Sequence, residues 1–241
     1  HIKKSKSFQV TDAINSDFSP VFDNNGKYLA FTSKRTFNPV YDSLQFDLNF
    51  TRSEKPYIIS LTKDLKSPFI KNPESEEKIQ KKDDKKNKKD SLKVKIDFKE
   101  IENRIMQIPV KESILGSSLG FYNNKIYYLD WPVEGSREDG WYDLGEPSKG
   151  TIKYYDLTSL EEKVYMNNVS GFYIDNRNGH IITISNKEVR ILDLKTPISK
   201  EMLSKPKCEK SSGRIDFNRI GLSIDINQEW HQMFKEAWRL Q

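Results

Sequence analysis

Five carboxylates, Glu134, Glu138, Asp139, Asp143 and Glu146, fall within the stretch WPVEGSREDGWYDLGEPSKG beside Trp131, Trp141 and Tyr142. Carboxylates this close together are the residue type that does general acid–base work or holds Ca²⁺ through oxygen ligands. Their spacing matches no calcium loop, and the Gly- and Pro-rich setting reads as a long solvated loop, with a partner or substrate contact as the next reading. The single cysteine, Cys208, stands in KPKCEKSSG. A catalytic thiol needs a base and an orienting group; neither is nearby in sequence, so Cys208 reads as a surface thiol that forms no internal disulfide. His1, His180 and His231 are too dispersed for a zinc signature. Ser117, Ser118 and the run Ser211-Ser212-Gly213 lack the sharp strand-to-helix turn of a nucleophile elbow. The sequence therefore nominates no catalytic residue, no metal ligand and no cofactor, and it identifies no substrate-binding residue.

Charge points the same way once it is dissected. The formal net charge is +5, and residues 71–95 alone hold ten Lys against six acidic residues, so that segment accounts for +4 of it. Nucleic-acid surfaces interleave basic residues with aromatics or set them on a recognition helix. KIQKKDDKKNKKDSLKVK contains no aromatic and mixes Asp83, Asp84 and Asp90 among its lysines. It reads as a disordered, solvated insert, because such a run cannot bury enough apolar surface to order itself. No nucleic-acid partner is expected. No apolar stretch approaches the roughly 18 residues of a membrane helix, and no signal peptide is visible, so no membrane partner is expected either.

The elements that would position any site are mostly strands. SPVFDNNGKYLAFTS has Asn25-Gly26 as a tight hairpin turn, followed by a β-rich run from Lys27 to Ser33. KPYIISL, from Lys55, is the next strand and closes in a polar turn, with Pro56 near its start. The same order returns at Leu119–Asp130, where Asn123-Asn124 marks the turn, and at Gly150–Leu157. It returns again at Gly171–Ser185 and Glu188–Leu194. Each unit runs strand, Asn- or Gly-containing turn, β-rich strand, then a strand closing in "Asp-Leu" or "Ser-Leu". An internal repeat of about four short antiparallel strands is the signature of a propeller blade, whose faces only neighbouring blades can cover. A β-sandwich is the competing architecture. The fold class expected is mainly β: a partial propeller of about three four-stranded blades over residues 1–226, with a C-terminal helix.

Closed propellers have four to eight blades, so blades are expected to be missing on the amino-terminal side; His1 in place of an initiator Met suits a piece of a longer chain. Near the other end, Gly213–Ile226 reads as strand. Asn227 then reads as an N-cap with Glu229 in the first turn, and Trp230, Phe234, Ala237 and Trp238 fall on one apolar helix face. Arg104, in ENRI, has the bidentate fork to hold a neighbouring blade or a peptide carboxylate, and the structural use is the expectation.

Three pieces of the chain resemble the tricorn protease family. SDFSPVFDNNGKYLAFTSKRTFNP with KPYIISLTKD resembles its propeller, and IDFKEIENRIMQIPV its recurring blade segment. IDINQEWHQMFKEAWRLQ is similar to the junction where the second propeller gives way to the first helical catalytic subdomain. The Lys-rich insert, residues 131–149 and residues 199–213 carry no such match. The resemblance implies a large serine peptidase acting on peptides, whose propellers channel or gate substrate and product. It implies that this stretch covers the end of the second propeller and, over 227–241, the opening helix of a catalytic subdomain. The catalytic Ser and His would then lie outside this chain, His231 being a helix-surface residue off the family's motif. Implied partners are peptide substrates or products, the remaining domains of the parent chain, and other copies in a homo-oligomer. The implied location is cytoplasmic, with an exported bacterial relative as the alternative. A non-catalytic propeller serving protein interaction is the second functional reading.

Overall fold

The computed structural model describes residues 6–12, 14–44, 47–50, 52–70, 94–116, 118–133, 149–186, 188–205, 207–221 and 223–240. Residues 71–93 of the Lys-rich insert and the acidic cluster from Glu134 to Glu146 lie outside the described residues, as do His1 and Ser117. Among those described, the first sheet has the order β1 (Asp17–Phe22), β2 (Tyr28–Ser33), β5 (Lys55–Ser60), β6 (Ile105–Gln107), all antiparallel. A two-stranded hairpin, β3 (Val40–Asp42) and β4 (Asp47–Asn49), is inserted between β2 and β5. The second sheet is the meander β7 (Leu119–Tyr122), β8 (Lys125–Asp130), β9 (Gly150–Asp156), β10 (Glu161–Val169). The third has three strands, β11 (Gly171–Asp175), β12 (His180–Ser185) and β13 (Glu188–Asp193).

Two of the expected blades are thus four-stranded and the third is not. Among the described residues its fourth position is touched only by an isolated bridge between Arg190 and Arg214. The strand expected over Gly213–Ile226 is otherwise absent. That stretch makes a single 3₁₀ turn at Phe217–Arg219, capped by Asp216, because beyond Ile215 it leaves the edge of β13.

Packing explains why the middle strands read as unbroken apolar runs. Ile126 and Tyr128 of β8 enter a core with Tyr28, Ala30 and Ile58 of the first sheet, while Tyr127 and Leu129 enter a second core with Phe172, Ile181 and Leu192 of the third. Alternate residues of one strand therefore serve two sheet–sheet interfaces. β2 and β5 behave likewise, with Phe31, Tyr57 and Ile59 turned to a third cluster around Ile101. Ile58, Ile126 and Ile152 are fully buried, and burying a side chain of that size stabilises by roughly 1.5–3 kcal/mol. The first strands touch in succession, β1 against β7 and β7 against β11, as the inner strands of stacked blades do.

The repeat seen in sequence has a hydrogen bond behind it. The amide of the Leu that follows the third strand of each sheet donates to the last residue of that sheet's first turn. The pairs are Leu61 to Lys27 (2.9 Å), Leu157 to Asn124 (2.9 Å) and Leu194 to Gly179 (2.8 Å). The turns differ. Asn123 and Asn124 both have positive φ, 48° and 59°, forming the two-residue hairpin turn. At the first turn only Gly26 does, and the loop is five residues long, so the tight turn expected at Asn25-Gly26 belongs instead to the second sheet.

The chain ends in two helices. α1 (Lys200–Ser204) is capped by the Ser199 hydroxyl. α2 (Ile226–Leu240) begins one residue before the expected start, because Asp225 rather than Asn227 is its cap: the Asp225 carboxylate accepts from the amides of Asn227 (3.0 Å) and Gln228 (3.4 Å).

Candidate functional site

The inner turns of the first and third sheets are built on the same device. In the first, Asp23 takes the amides of Lys27 (2.7 Å), Tyr28 (2.9 Å) and Asn25 (3.3 Å). Burial raises its pKa above the ordinary carboxylate value, and those amides only partly offset the effect. In the third, Asp175 takes the Asn178 side chain (2.6 Å) and the amides of Arg177 and Asn178, bonds that lower its pKa. The residue after each Asp, Asn24 or Asn176, reaches across to the other turn. This places Asn24, Asn25, Asn123, Asn124, Asn176 and Asn178 on the three turns where the inner strands end. The inner edge is also shaped against pairing with strangers. β1 has a bulge between Phe18 and Val21 that contains Pro20, which has no N–H to offer.

Two of the residues weighed from sequence, Arg104 and Ser212, have structural duties. Arg104 donates to the carbonyls of Ser60 (2.8 Å), Lys99 (3.1 Å), Glu100 (3.4 Å) and Asp97, which pins the 97–100 turn to the end of β5. Its fork is spent within its own sheet rather than on a neighbouring blade. Ser212 is fully buried; its hydroxyl donates toward the carbonyls of Lys207 and Glu209 and accepts from the amides of Glu209 and Arg214. Cys208 is exposed, and His231 lies on the exposed helix α2. Among the described residues no group of three or more His, Cys, Asp or Glu could hold a metal ion, and no helix is long and apolar enough to cross a membrane.

Three features had no sequence signal. The first is a cleft of about 860 Å³ in front of β13, with Ile191, Pro197, Ile198, Met202, Arg219 and Ile220 in its walls. It exists because the chain from Thr196 to Ile220 loops out beside the sheet, anchored by buried Arg190. That guanidinium donates to the carbonyls of Ser212 (3.1 Å) and Leu203 (2.9 Å) and pairs with Glu188. The second is the β3–β4 hairpin, which exposes Val40, Tyr41 and Leu48 beside a Phe37–Phe50 ring pair. The third is the condition of α2. Its apolar face was legible, but Trp230 (66%), Phe234 (69%) and Trp238 (77%) are all exposed.

Comparison with known proteins covers nearly the whole chain. The family described as the tricorn protease second beta propeller domain matches residues 1–195. The chain is 32% identical to the putative tricorn-like protease C-terminal subunit of Sulfurisphaera tokodaii, over 98% of this chain and 24% of that protein. It is 29% identical to the tricorn protease homolog of Saccharolobus solfataricus, over 98% of this chain and 20% of that one. A crystal structure of the tricorn protease superposes with a TM-score of 0.71 at 22% identity, over 99% of this chain and 21% of the other, a likeness of fold. The chain thus spans less than a quarter of the length of each of these relatives.

Proposed function

Because the chain belongs to the tricorn protease second β-propeller family, we propose that it is the peptide-guiding propeller segment of a larger serine peptidase and contributes no reacting group. The single observation that carries this reading is the family match over residues 1–195. The convergence of β1, β7 and β11, whose turns carry asparagines and no base–nucleophile pair, is consistent with it. Carboxamides both donate and accept, so turns of this kind can contact a passing peptide main chain without selecting its sequence. Residues from about 226 onward form the first helix of a catalytic subdomain in this reading. The exposed Trp230–Trp238 face packs against the rest of that subdomain, and the nucleophilic Ser and its His are supplied outside residues 1–241. Assembly into a homo-oligomer and a cytoplasmic location go with the same reading.

The test is a cleavage assay on a mixed peptide pool read by mass spectrometry. The 241-residue chain is expected to leave every peptide intact. The longer protein that contains it is expected to cleave them and to lose that activity to a serine-directed fluorophosphonate. Hydrolysis by the chain alone overturns the claim that it holds no reacting group. A longer protein that neither cleaves nor labels favours the non-catalytic interaction propeller.

A further inference from the structure

The third sheet has an unfilled strand position, and the cleft lies against it. In the first two sheets a fourth strand, β6 or β10, completes the outer edge. On the outer edge of β13 the one pairing among the described residues is the Arg190–Arg214 bridge, made by Ile191 N–H donating to Gly213 C=O (2.8 Å) and Ile215 N–H donating to Val189 C=O (2.9 Å). Those bonds show that the main-chain groups of Val189 and Ile191 face outward, and by alternation so does the N–H of Asp193, whose carbonyl accepts from Thr196 N–H (3.2 Å). The inward bond of Leu194 N–H to Gly179 C=O fixes the same parity independently. Gly213 then turns the chain away with φ +66°, a conformation natural to glycine. Among the described residues no strand lies opposite Asp193.

We propose that the cleft receives an extended peptide that adds to β13 as the missing fourth strand, Asp193 N–H donating to a peptide carbonyl. Alternate peptide side chains then enter the wall formed by Ile198, Met202 and Ile220. This deepens the peptide-handling reading above and rests on it for the class of ligand. A polypeptide is the occupant because its backbone carbonyl can meet the outward Asp193 N–H while its alternating side chains fill the apolar wall. The cleft volume lies within the 300–1,000 Å³ common to ligand sites. Its charged lining is balanced, with Lys210, Arg214 and Arg219 set against Asp193, Glu209 and Asp216, which favours an uncharged apolar segment over an acidic or basic one.

The probe is a leucine–valine–leucine–valine tetrapeptide, acetylated and amidated at its ends, titrated into the 241-residue chain. Amide exchange is followed by NMR. At saturation the Asp193 amide is expected to exchange at least about tenfold more slowly, the protection one new main-chain hydrogen bond provides. Ile220→Asp is expected to weaken binding about tenfold while Leu194 stays protected, which reports that β13 is intact. An unprotected Asp193 overturns the proposal even if Ile220→Asp fails to fold, and so does full-strength binding by a folded Ile220→Asp. Neither result touches the peptidase reading, which the cleavage assay decides separately.

Discussion

Asn24 and Asn176, 152 positions apart in the chain, clasp each other across the inner ends of the first and third sheets. The Asn24 side-chain amide donates to the Asn176 carbonyl at 2.6 Å, and the Asn176 side chain donates to the Phe22 carbonyl at 3.4 Å. The two residues hold equivalent places, each following the Asp that caps its turn. The side-chain oxygens of both are buried without a partner, so part of what the donors contribute is offset by acceptors withdrawn from water.

Replacing Asn24 by Ala should therefore cost about 1 kcal/mol rather than the upper figure for a buried hydrogen bond. Asn176→Ala should cost a similar amount, and the double variant less than the sum, since each change removes part of the same clasp. Urea unfolding of the four proteins checks this. Strict additivity would mean that the two turns are held independently.

Stability should fall in acid through Asp17. Its carboxylate is partly buried, which opposes ionisation, but hydrogen bonds from Arg35 (2.7 Å) and Ser33 (2.5 Å) outweigh that and hold its pKa below the ordinary value. A depressed pKa gives stability that is present above the unfolded pKa near 4 and is lost as pH falls through the folded value. Arg35→Met, which keeps a stem beside Phe31 and Tyr57, should flatten that acid limb and cost about 1–2 kcal/mol at pH 7. Asp23 has the opposite sign: its pKa is raised, so it favours folding less as pH rises above about 4. Asp23→Asn should remove that slope, measured by thermal melts between pH 3 and pH 7.

Arg104→Ala should be among the costlier substitutions outside the core. It strands the carbonyls of Ser60, Asp97, Lys99 and Glu100, for a loss of about 2–3 kcal/mol. Arg104→Lys should recover only part of this, because one ammonium cannot span the same fan of acceptors. Hydrogen exchange at Asp97 and Arg104, whose amides bond Leu61 and Ile101 carbonyls, should report the loosening locally.

Trp230→Ser with Phe234→Ser should leave the stability of the 241-residue chain within about 0.5 kcal/mol, since both side chains are exposed. The same pair should lower the melting temperature of the longer protein if α2 packs on a catalytic subdomain. Equal indifference in both would sink the assignment of α2 as that subdomain's first helix.

The sequence by itself determined the architecture, because what specifies a blade is local. β-rich runs such as Lys125–Asp130, turn residues such as Asn123-Asn124, and the closing Leu61, Leu157 and Leu194 can each be read within a few positions. The apolar stripe of α2 is of the same kind. What only the tertiary structure decided depends on who pairs with whom. Gly213–Ile226 has strand-like residues and still forms no strand, since a ladder requires a partner that local pattern does not name. Arg104 could reach outward or inward in sequence; the 97–100 turn, folded beneath it, made the choice. The carboxamides of Asn24 and Asn176 look like turn formers until the sheets stack and bring them together. The cleft beside β13 is a consequence of a strand that does not form, and an absent hydrogen-bonding partner leaves no mark on the residues around it.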